Sequence, residues 1–262
     1  MNMNWSTWKI RGFEVEQKAI EVKNVSKFFL TTDDVASKKF VALDDVSFSV
    51  EKGQIVVISG ENGSGKSVLM HIIAGLERPS KGCVSTSSKV GLVFQDADSQ
   101  ILGETPLEDV CFGLANIGIK GKEAQERACK ALKDVKLYEK RNSPSHFLSG
   151  GEKRRLAIAA ILALGFETVI MDEPYSNLDY AGVKEVNALV WQLHESGKTL
   201  LILTHEIEKC LALADRFVVL KAGHLLFDGT PADGLKELAK KPEWGIRNPL
   251  ASYESLESLV WK

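Results

Sequence analysis

The stretch that decides the fold is Gly60-Glu61-Asn62-Gly63-Ser64-Gly65-Lys66-Ser67, which fits the phosphate-loop pattern GxxxxGK[ST]. It follows the β-branched apolar run Gln54–Ser59, which predicts a strand, and precedes Val68–Leu76, which predicts a helix. Glycines let backbone N–H groups turn toward phosphate oxygens, and the positive end of the following helix faces the anion. We therefore predict a nucleotide site in which Lys66 reaches the β- and γ-phosphates and the Ser67 hydroxyl binds Mg²⁺. A glycine-rich turn without ligand is the alternative for these eight residues taken alone.

Strand and helix patterns alternate along the rest of the chain, which predicts a mostly parallel sheet covered on both faces. The other candidate strands are Ala19–Val25, Phe40–Val50, Val90–Phe94, Thr168–Met171, Thr199–Leu203, Arg216–Leu220 and His224–Phe227. The other candidate helices are Lys122–Val135, Gly151–Ala163, Ala181–Ser196, Glu206–Ala214 and Ala232–Lys240. Little strand signal occurs between about residues 96 and 165, so we expect a helical subdomain inserted in an α/β body.

The composition narrows the class of protein. The chain has 262 residues, a net charge of −2, 44% hydrophobic and 26% charged residues, which is ordinary for a soluble globular protein. Because the charge is near neutral, we expect no nucleic-acid partner. No run approaches the roughly 20 apolar residues of a membrane-spanning helix, and the N-terminus lacks the apolar core of a signal peptide. The four cysteines are scattered without a CxxC pair, so we expect reduced thiols and no zinc site.

Two carboxylates stand at the end of a predicted buried strand, in Val169-Ile170-Met171-Asp172-Glu173-Pro174. Open α/β sheets bind ligands at that edge. We assign Asp172 to holding Mg²⁺ through water and Glu173 to orienting or deprotonating the attacking water. An isolated Asp-Glu pair favours a solvated strand end, but the phosphate loop upstream favours the catalytic interpretation.

Two further polar residues follow predicted strands. Gln95 comes after Val90–Phe94, where its amide can reach Mg²⁺ or the water, and His205 comes after Thr199–Leu203, where it can contact the γ-phosphate. A lone glutamine is usually surface and a lone histidine is usually structural, so both assignments depend on the whole set of motifs.

A second helix start suits an anion, in Leu148-Ser149-Gly150-Gly151-Glu152. Ser149 is a typical N-cap residue, and the glycines expose backbone N–H groups. An ordinary capped helix is the alternative for this pentapeptide alone. One nucleotide does not obviously reach both helix starts within a compact subunit, which favours an arrangement between two subunits.

Together the motifs resemble those of ABC ATPases, in the same order: the phosphate loop, Gln95, LSGGE, the Asp172-Glu173 pair, Ser176-Asn177-Leu178-Asp179 and His205. The resemblance covers about residues 19–230 and implies a P-loop NTPase cassette. Such a cassette has a mostly parallel central sheet, an N-terminal antiparallel β part and an inserted helical subdomain. We expect an N-terminal extension at 1–18, the ATPase domain at 19–231 and a C-terminal appendage at 232–262. The tail after Pro231 either packs as an appendage or helps to pair subunits.

The resemblance also implies how the chain is used. Family members form head-to-tail dimers around two MgATP molecules, each held between one phosphate loop and the partner's LSGGE segment. Ser149, Gly150, Gly151 and Glu152 would then act in trans, and Asp179 would lie in the loop that connects the two sites. The adenine-stacking aromatic maps to Phe29, with Phe28 as the alternative, and the cofactors are ATP and Mg²⁺. We expect nucleotide contacts from Phe29, Gly60, Glu61, Asn62, Gly63, Ser64, Gly65, Lys66, Ser67, Val68, Ser149, Gly150, Gly151, Glu152 and Asp179.

A finer resemblance lies in residues 94–113, FQDADSQILGETPLEDVCFG. It is similar to ATPases of energy-coupling-factor transporters, which import vitamins and transition-metal ions. Ala97 and Pro106 depart from that pattern, where proline and a β-branched residue are usual. The resemblance implies a homodimer or heterodimer at the cytoplasmic face of the cell membrane, beneath a transmembrane coupling subunit and a substrate-binding membrane subunit.

Two other functions fit the same cassette. One is a non-transport ABC ATPase acting on DNA or ribosomes, which usually carries coiled-coil insertions, zinc modules or a second cassette. The other is a regulatory nucleotide-binding subunit without turnover, which the presence of Glu173 and His205 disfavours. The sequence does not name the transported substrate.

Overall fold

The computed structural model describes residues 17–33 and 36–251. Its strands are β1 (Lys18–Asp33), β2 (Ala36–Glu51), β3 (Ile55–Ser59), β4 (Lys81–Thr86), β5 (Val90–Val93), β6 (Thr168–Asp172), β7 (Thr199–Leu203), β8 (Arg216–Lys221) and β9 (His224–Gly229). Its helices are α1 (Lys66–Ile73), α2 (Pro106–Asn116), α3 (Gly121–Asp134), α4 (Gly150–Ala163), α5 (Tyr180–Glu195) and α6 (Pro231–Leu238).

The larger sheet has the strand order β5-β6-β7-β3-β8-β9. Its first five strands run parallel, and β9 pairs antiparallel with β8. The central strand β3 is buried along its whole length, with Val57 in the apolar cluster on one face and Val56 and Ile58 in the cluster on the other. Burial on both faces explains why β3 reads as a continuous apolar run rather than an alternating one. The predicted mostly parallel α/β fold is confirmed.

The smaller sheet has the order β2-β1-β4 and is antiparallel. The β1–β2 ladder extends past the predicted ends, through Phe29 opposite Phe40 to Asp33 opposite Ala36. Strand β4 was not predicted because it is largely exposed and carries no alternating apolar pattern. Gly82 in this strand has φ +77, and its Cα lies so close to the Asn24 carbonyl that a side chain would not fit. This sheet is the antiparallel β part of the predicted cassette.

Helices α2, α3 and α4 form the expected helical part between β5 and β6. Helix α2 starts with a capping box, in which Thr105 accepts from the Glu108 N–H and Glu108 accepts from the Thr105 N–H. Val110, Leu132 and Leu156, one from each helix, are completely buried in one apolar cluster. Burying such side chains stabilises the packing by roughly 1.5–3 kcal/mol each. None of the helices in the described ranges combines the length and apolar character of a membrane span.

The predicted helix at Glu206–Ala214 is wrong. The segment instead forms two short 3₁₀ turns, Ile207–Lys209 and Leu211–Leu213. A side chain from another element occupies a backbone group that an α-helix would use, since the Asn187 amide donates to the Lys209 carbonyl at 2.7 Å.

Both predicted chain ends fall partly outside the described residues, which begin at 17 and end at 251. Most of the predicted extension at 1–18, and residues 252–262 of the predicted appendage, therefore lie outside the described residues. Within the appendage, α6 is followed by a 3₁₀ turn at Pro242–Trp244, where Trp244 is buried and its ring lies 5.7 Å from that of Phe227.

Candidate functional site

Loops that follow four parallel strands surround a cleft of about 470 Å³. These strands, β3, β5, β6 and β7, all end at the same edge of the larger sheet, where open α/β folds bind ligands. The cleft is lined by Phe40, Ala42, Asn62, Gly63, Ser64, Gly65, Lys66, Ser67, Val68, Gln95, Asp172, Glu173 and His205. The structure therefore brings most of the predicted phosphate-loop, magnesium and catalytic residues into one place.

Lys66 begins helix α1 and is almost completely buried at the floor of the cleft. Its ammonium donates to the carbonyl oxygens of Gly60, at 2.7 Å, and Glu61, at 3.1 Å. Burial lowers the pKa of Lys66, and the negative charges of Glu173 and Asp172 oppose that shift. Hydrogen bonds from an ammonium to charged phosphate oxygens are stronger than those to neutral carbonyls, so a bound phosphate would displace these carbonyl contacts.

The phosphate loop depends on glycine where it meets the rest of the protein. Gly65 has φ +102, and an added Cβ would lie 2.6 Å from the Ala42 carbonyl oxygen and 2.7 Å from the Leu43 side chain. A side chain at this position would therefore push the loop away from the β2 backbone. The Ser64 hydroxyl in the same loop is buried with no hydrogen-bond partner among the described residues. A buried hydroxyl in this state suits a site completed by a polar ligand.

Glu173 is held by the segment that follows β7. Its carboxylate accepts from the Thr204 hydroxyl at 2.8 Å and from the His205 backbone N–H at 3.2 Å, and lies 2.9 Å from His205 Nδ1. Glu173 itself adopts φ +44, a left-handed conformation that costs a non-glycine residue about 1–3 kcal/mol. The contacts to Thr204 and His205 explain how the carboxylate remains fixed in a strained backbone.

Ser67, Gln95 and Asp172 line the cleft together and form a donor set that suits Mg²⁺. Magnesium is usually held by one or two carboxylates and by substrate phosphates, with water completing the octahedron. Burial raises the pKa of Asp172; the Glu173 charge adds to this effect, and Lys66 and His71 oppose it. The described residues contain no cluster of three or more His, Cys, Asp or Glu side chains that could hold a metal ion.

The aromatic wall of the cleft differs from the sequence expectation. Phe40, not Phe29, lines the cleft, and the two residues face each other across the β1–β2 ladder. Directly paired residues of antiparallel strands project to the same side of the sheet. Phe29 and Phe40 are 38% and 58% exposed, so both rings leave surface for a ligand. The assignment of adenine stacking to Phe29 stays a prediction, with Phe40 as a second candidate that the sequence did not signal.

The LSGGE segment lies away from this cleft. Ser149 caps α4 in a capping box: its hydroxyl accepts from the Glu152 N–H at 3.3 Å, and the Glu152 carboxylate accepts from the Ser149 N–H at 2.9 Å. Burial favours neutral Glu152, but hydrogen bonds from Lys140 and Ser149 outweigh it, so the pKa of Glu152 lies below its usual value. Ser149, Gly150 and Asp179 are exposed, and none of the three lines the cleft.

The family model described as ABC transporter matches residues 43–176. This span contains the phosphate loop, Gln95, the LSGGE segment and the Asp172-Glu173 pair. The chain belongs to the ABC transporter family. As a member of this family, it binds and hydrolyses ATP.

Relatives of this cassette occur in bacteria and archaea. The cobalt import ATP-binding protein CbiO of Rhodobacter capsulatus is 39% identical over 224 residues, which are 80% of this chain and 80% of that protein. The energy-coupling factor transporter ATP-binding protein EcfA1 of Clostridium novyi is 38% identical over 234 residues, covering 84% and 82%. The energy-coupling factor transporter ATP-binding protein EcfA of Methanocaldococcus jannaschii is 36% identical over 226 residues, covering 80% and 81%.

Solved structures of similar cassettes have the same fold. CbiO1 of Clostridium perfringens, part of the ABC transporter complex CbiONQ, is 29% identical with a TM-score of 0.74, covering 87% of this chain and 95% of that one. The dimeric ATP-binding cassette MJ0796 bound to ADP and Pi is also 29% identical, with a TM-score of 0.71, covering 81% and 98%.

Besides Phe40, two residues of the site were not predicted from the sequence. Thr204 is completely buried and donates to Glu173, but a threonine between an apolar strand and a histidine carries no signal of that role. Arg154, two residues after the LSGGE segment, is buried and donates to the Gln95 and Pro174 carbonyls. Arg154 stands in the charged run Glu152–Arg155 at the start of α4, so the sequence does not show which of these side chains is buried.

Proposed function

We propose that this chain is the motor subunit of an importer of the energy-coupling-factor type, carrying a vitamin or a transition-metal ion. The observation that carries the proposal is the meeting of Lys66, Asp172, Glu173 and His205 in one cleft, in a chain 36–39% identical to relatives named for that transport. Neither rival function has a specific observation in its favour.

In the proposed reaction, Lys66 leaves the loop carbonyls and binds the β- and γ-phosphates. Glu173 orients or deprotonates the attacking water, and His205, 2.9 Å from that carboxylate, holds the water and contacts the γ-phosphate. Ser67, Asp172 and Gln95 would hold Mg²⁺, which supplies neutralisation of the phosphate charge when bound. The adenine stacks on one of the two paired rings, Phe29 or Phe40, of which Phe40 lines the cleft.

The proposed working unit is a head-to-tail dimer. Ser149, Gly150, Gly151 and Glu152 would contact the nucleotide of the partner subunit, since the start of α4 does not face the cleft of its own chain. Asp179 caps α5 by accepting from the Gly182 N–H at 2.8 Å, and its exposed segment would meet the partner between the two sites. A dimeric relative bound to ADP and Pi supports this arrangement.

The proposed membrane partners are a transmembrane coupling subunit and a substrate-binding membrane subunit, which would place the chain peripherally at the cytoplasmic face. Residues 95–117 would lie near the membrane subunit and transmit dimer closure on ATP binding and reopening on hydrolysis. Leu102, Phe112 and Ile117 in this stretch are each about half exposed or more, which supplies apolar surface for such a contact.

The test is to purify the tagged chain from gently solubilised membranes and identify its companions. A small coupling subunit, with or without a second ATPase, is the expected result, and a co-purifying substrate-binding subunit would indicate the cargo. Copurification of a different permease would support the role as a transporter motor and would contradict the assignment to the energy-coupling-factor type. Ribosomal or DNA-repair proteins without a membrane partner would reject the proposed transport function.

A further inference from the structure

A buried arginine joins three parts of the site. Arg154, in the first half of α4, is only 5% exposed. Its guanidinium donates to the Pro174 carbonyl at 2.7 Å, to the Ser176 carbonyl at 3.5 Å and to the Gln95 carbonyl at 3.2 Å. Pro174 and Ser176 belong to the loop that follows Glu173, and Gln95 follows β5. The Arg154 side chain therefore connects α4 to both of these segments through hydrogen bonds.

This arrangement costs folding free energy compared with an apolar side chain in the same place. Arg154 forms no ion pair with any carboxylate of the described residues, and its Nε is buried without a partner there. Burial lowers the pKa of this guanidinium, and no acidic neighbour offsets the effect. Burying a charge against neutral carbonyls is less favourable than burying it in an ion pair or replacing it with an apolar side chain.

The geometry also needs an arginine. A planar guanidinium presents several N–H donors in a rigid fork and reaches carbonyls on separate segments at once. A lysine has one ammonium at the end of a flexible stem, and it loses its proton more readily when buried. A methionine would fill a similar volume and remove every donor.

Arg154 contacts the two segments that carry the proposed catalytic residues Gln95 and Glu173. Glu173 sits in a left-handed conformation directly before Pro174, so the loop after it must be fixed for the carboxylate to stay in place. Gln95 supplies its side chain to the cleft while its carbonyl is held by Arg154. Ser149, the N-cap of α4, stands five residues before Arg154.

We propose that Arg154 is a positioning residue for ATP hydrolysis, coupling the start of α4 to the Gln95 and Glu173 segments of the same chain. The inference rests on the proposed roles of Gln95, Glu173 and the LSGGE segment. In the proposed dimer, the nucleotide in the partner's cleft contacts Ser149 and fixes the position of α4. Arg154 then fixes the position of the Gln95 and Glu173 segments in the chain's own cleft. Displacing reacting groups by about 1 Å is enough to reduce a rate by as much as roughly 100-fold.

The test compares Arg154→Met, Arg154→Lys and a matched control, Arg216→Met, in the full-length chain. Arg216 is a partly buried arginine that, like Arg154, donates to a backbone carbonyl, that of Ser49 at 2.7 Å. It also pairs with Asp228, at the end of β8 opposite the cleft. ATP affinity, hydrolysis rate at saturating MgATP and melting temperature are measured for each variant. Glu173→Gln is measured in parallel to check the proposed function separately.

We expect Arg154→Met to lose roughly 10- to 100-fold in hydrolysis rate while ATP affinity changes by less than about threefold. Arg154→Lys is expected to recover part of the rate. The Arg216→Met control should melt at a lower temperature but hydrolyse ATP at close to the wild-type rate per folded chain.

Wild-type hydrolysis by Arg154→Met would overturn the inference, as would parallel losses of affinity, rate and stability like those of an ordinary packing defect. If Arg154→Met does not fold, Arg154→Lys decides: a wild-type rate overturns the inference, and a lower rate at unchanged affinity supports it. Unimpaired hydrolysis by Glu173→Gln would reject the proposed role of Glu173, whatever the Arg154 variants do.

Discussion

Replacing Glu173 with glutamine probes the proposed catalytic base with the smallest change in shape. The glutamine oxygen can still accept from the Thr204 hydroxyl, which now lies 2.8 Å from the carboxylate. The amide nitrogen would replace the oxygen that now lies 3.2 Å from the His205 N–H, so this donor would keep only its longer contact, 3.4 Å, to the oxygen that also accepts from Thr204. A buried donor left without any acceptor costs about 1–3 kcal/mol; since the His205 N–H keeps this longer contact, we expect a smaller loss of stability.

The effect on rate is much larger than the effect on binding. General-base catalysis contributes about 10²–10⁴-fold, which corresponds to about 2.7–5.4 kcal/mol in the barrier at about 1.36 kcal/mol per tenfold. ATP affinity should stay the same or increase, because the substitution removes a negative charge from a cleft that receives phosphates. The predicted signature is therefore slow turnover with intact binding.

The assay measures steady-state phosphate release at saturating MgATP, together with ATP affinity by calorimetry. Glu167→Gln is the matched control, since the Glu167 carboxylate is exposed and pairs with Lys198 at 3.1 Å. The control should hydrolyse ATP at the wild-type rate. A Glu173→Gln variant with near-wild-type hydrolysis would refute the assignment of Glu173.

Three further predictions concern ATP and its cation. Lys66→Ala should weaken ATP binding by roughly 1.5–3 kcal/mol, the value of hydrogen bonds to a charged group; unchanged affinity in a calorimetric titration would refute the role of Lys66. Replacing both Phe29 and Phe40 with alanine should weaken ATP binding by about 1–3 kcal/mol, the usual value of stacking one base. The two single variants then show which ring carries the adenine, and full affinity in the double variant would exclude the aromatic wall. Chelation of Mg²⁺ with EDTA should abolish phosphate release, and added Mg²⁺ should restore it; hydrolysis that persists in excess EDTA would contradict the proposed metal site.

The parallel fold could be predicted because its signals are local. The buried strands β3, β6 and β7 are continuous apolar runs, and the residues that follow them carry the motifs of the cleft. Since the carboxyl ends of parallel strands meet at one edge, spacing along the chain was enough to place Lys66 and Glu173 in one site.

The remaining features depend on contacts between distant segments. The 3₁₀ turns at Ile207–Lys209 and Leu211–Leu213 replace a helix because Asn187 captures the Lys209 carbonyl from another element. Phe40 lines the cleft because of the register of a hairpin, which the sequence does not display. Arg154 reaches backbone carbonyls, and carbonyls carry no side-chain signal that a motif could report.

Sedimentation of the Glu173→Gln variant, alone and together with any second ATPase that copurifies with the chain, tests whether two cassettes enclose ATP. This variant should bind ATP without consuming it, so closed dimers should accumulate. Each chain carries both the phosphate loop and the LSGGE segment, so one kind of chain can complete both sites. With MgATP we expect twice the 28.8 kDa single-chain mass for a homodimer, or the summed mass of the two subunits for a heterodimer, and without nucleotide we expect separate chains. If the variant binds ATP at saturation and still sediments as a single chain, both alone and with the copurifying ATPase, two cassettes do not enclose ATP.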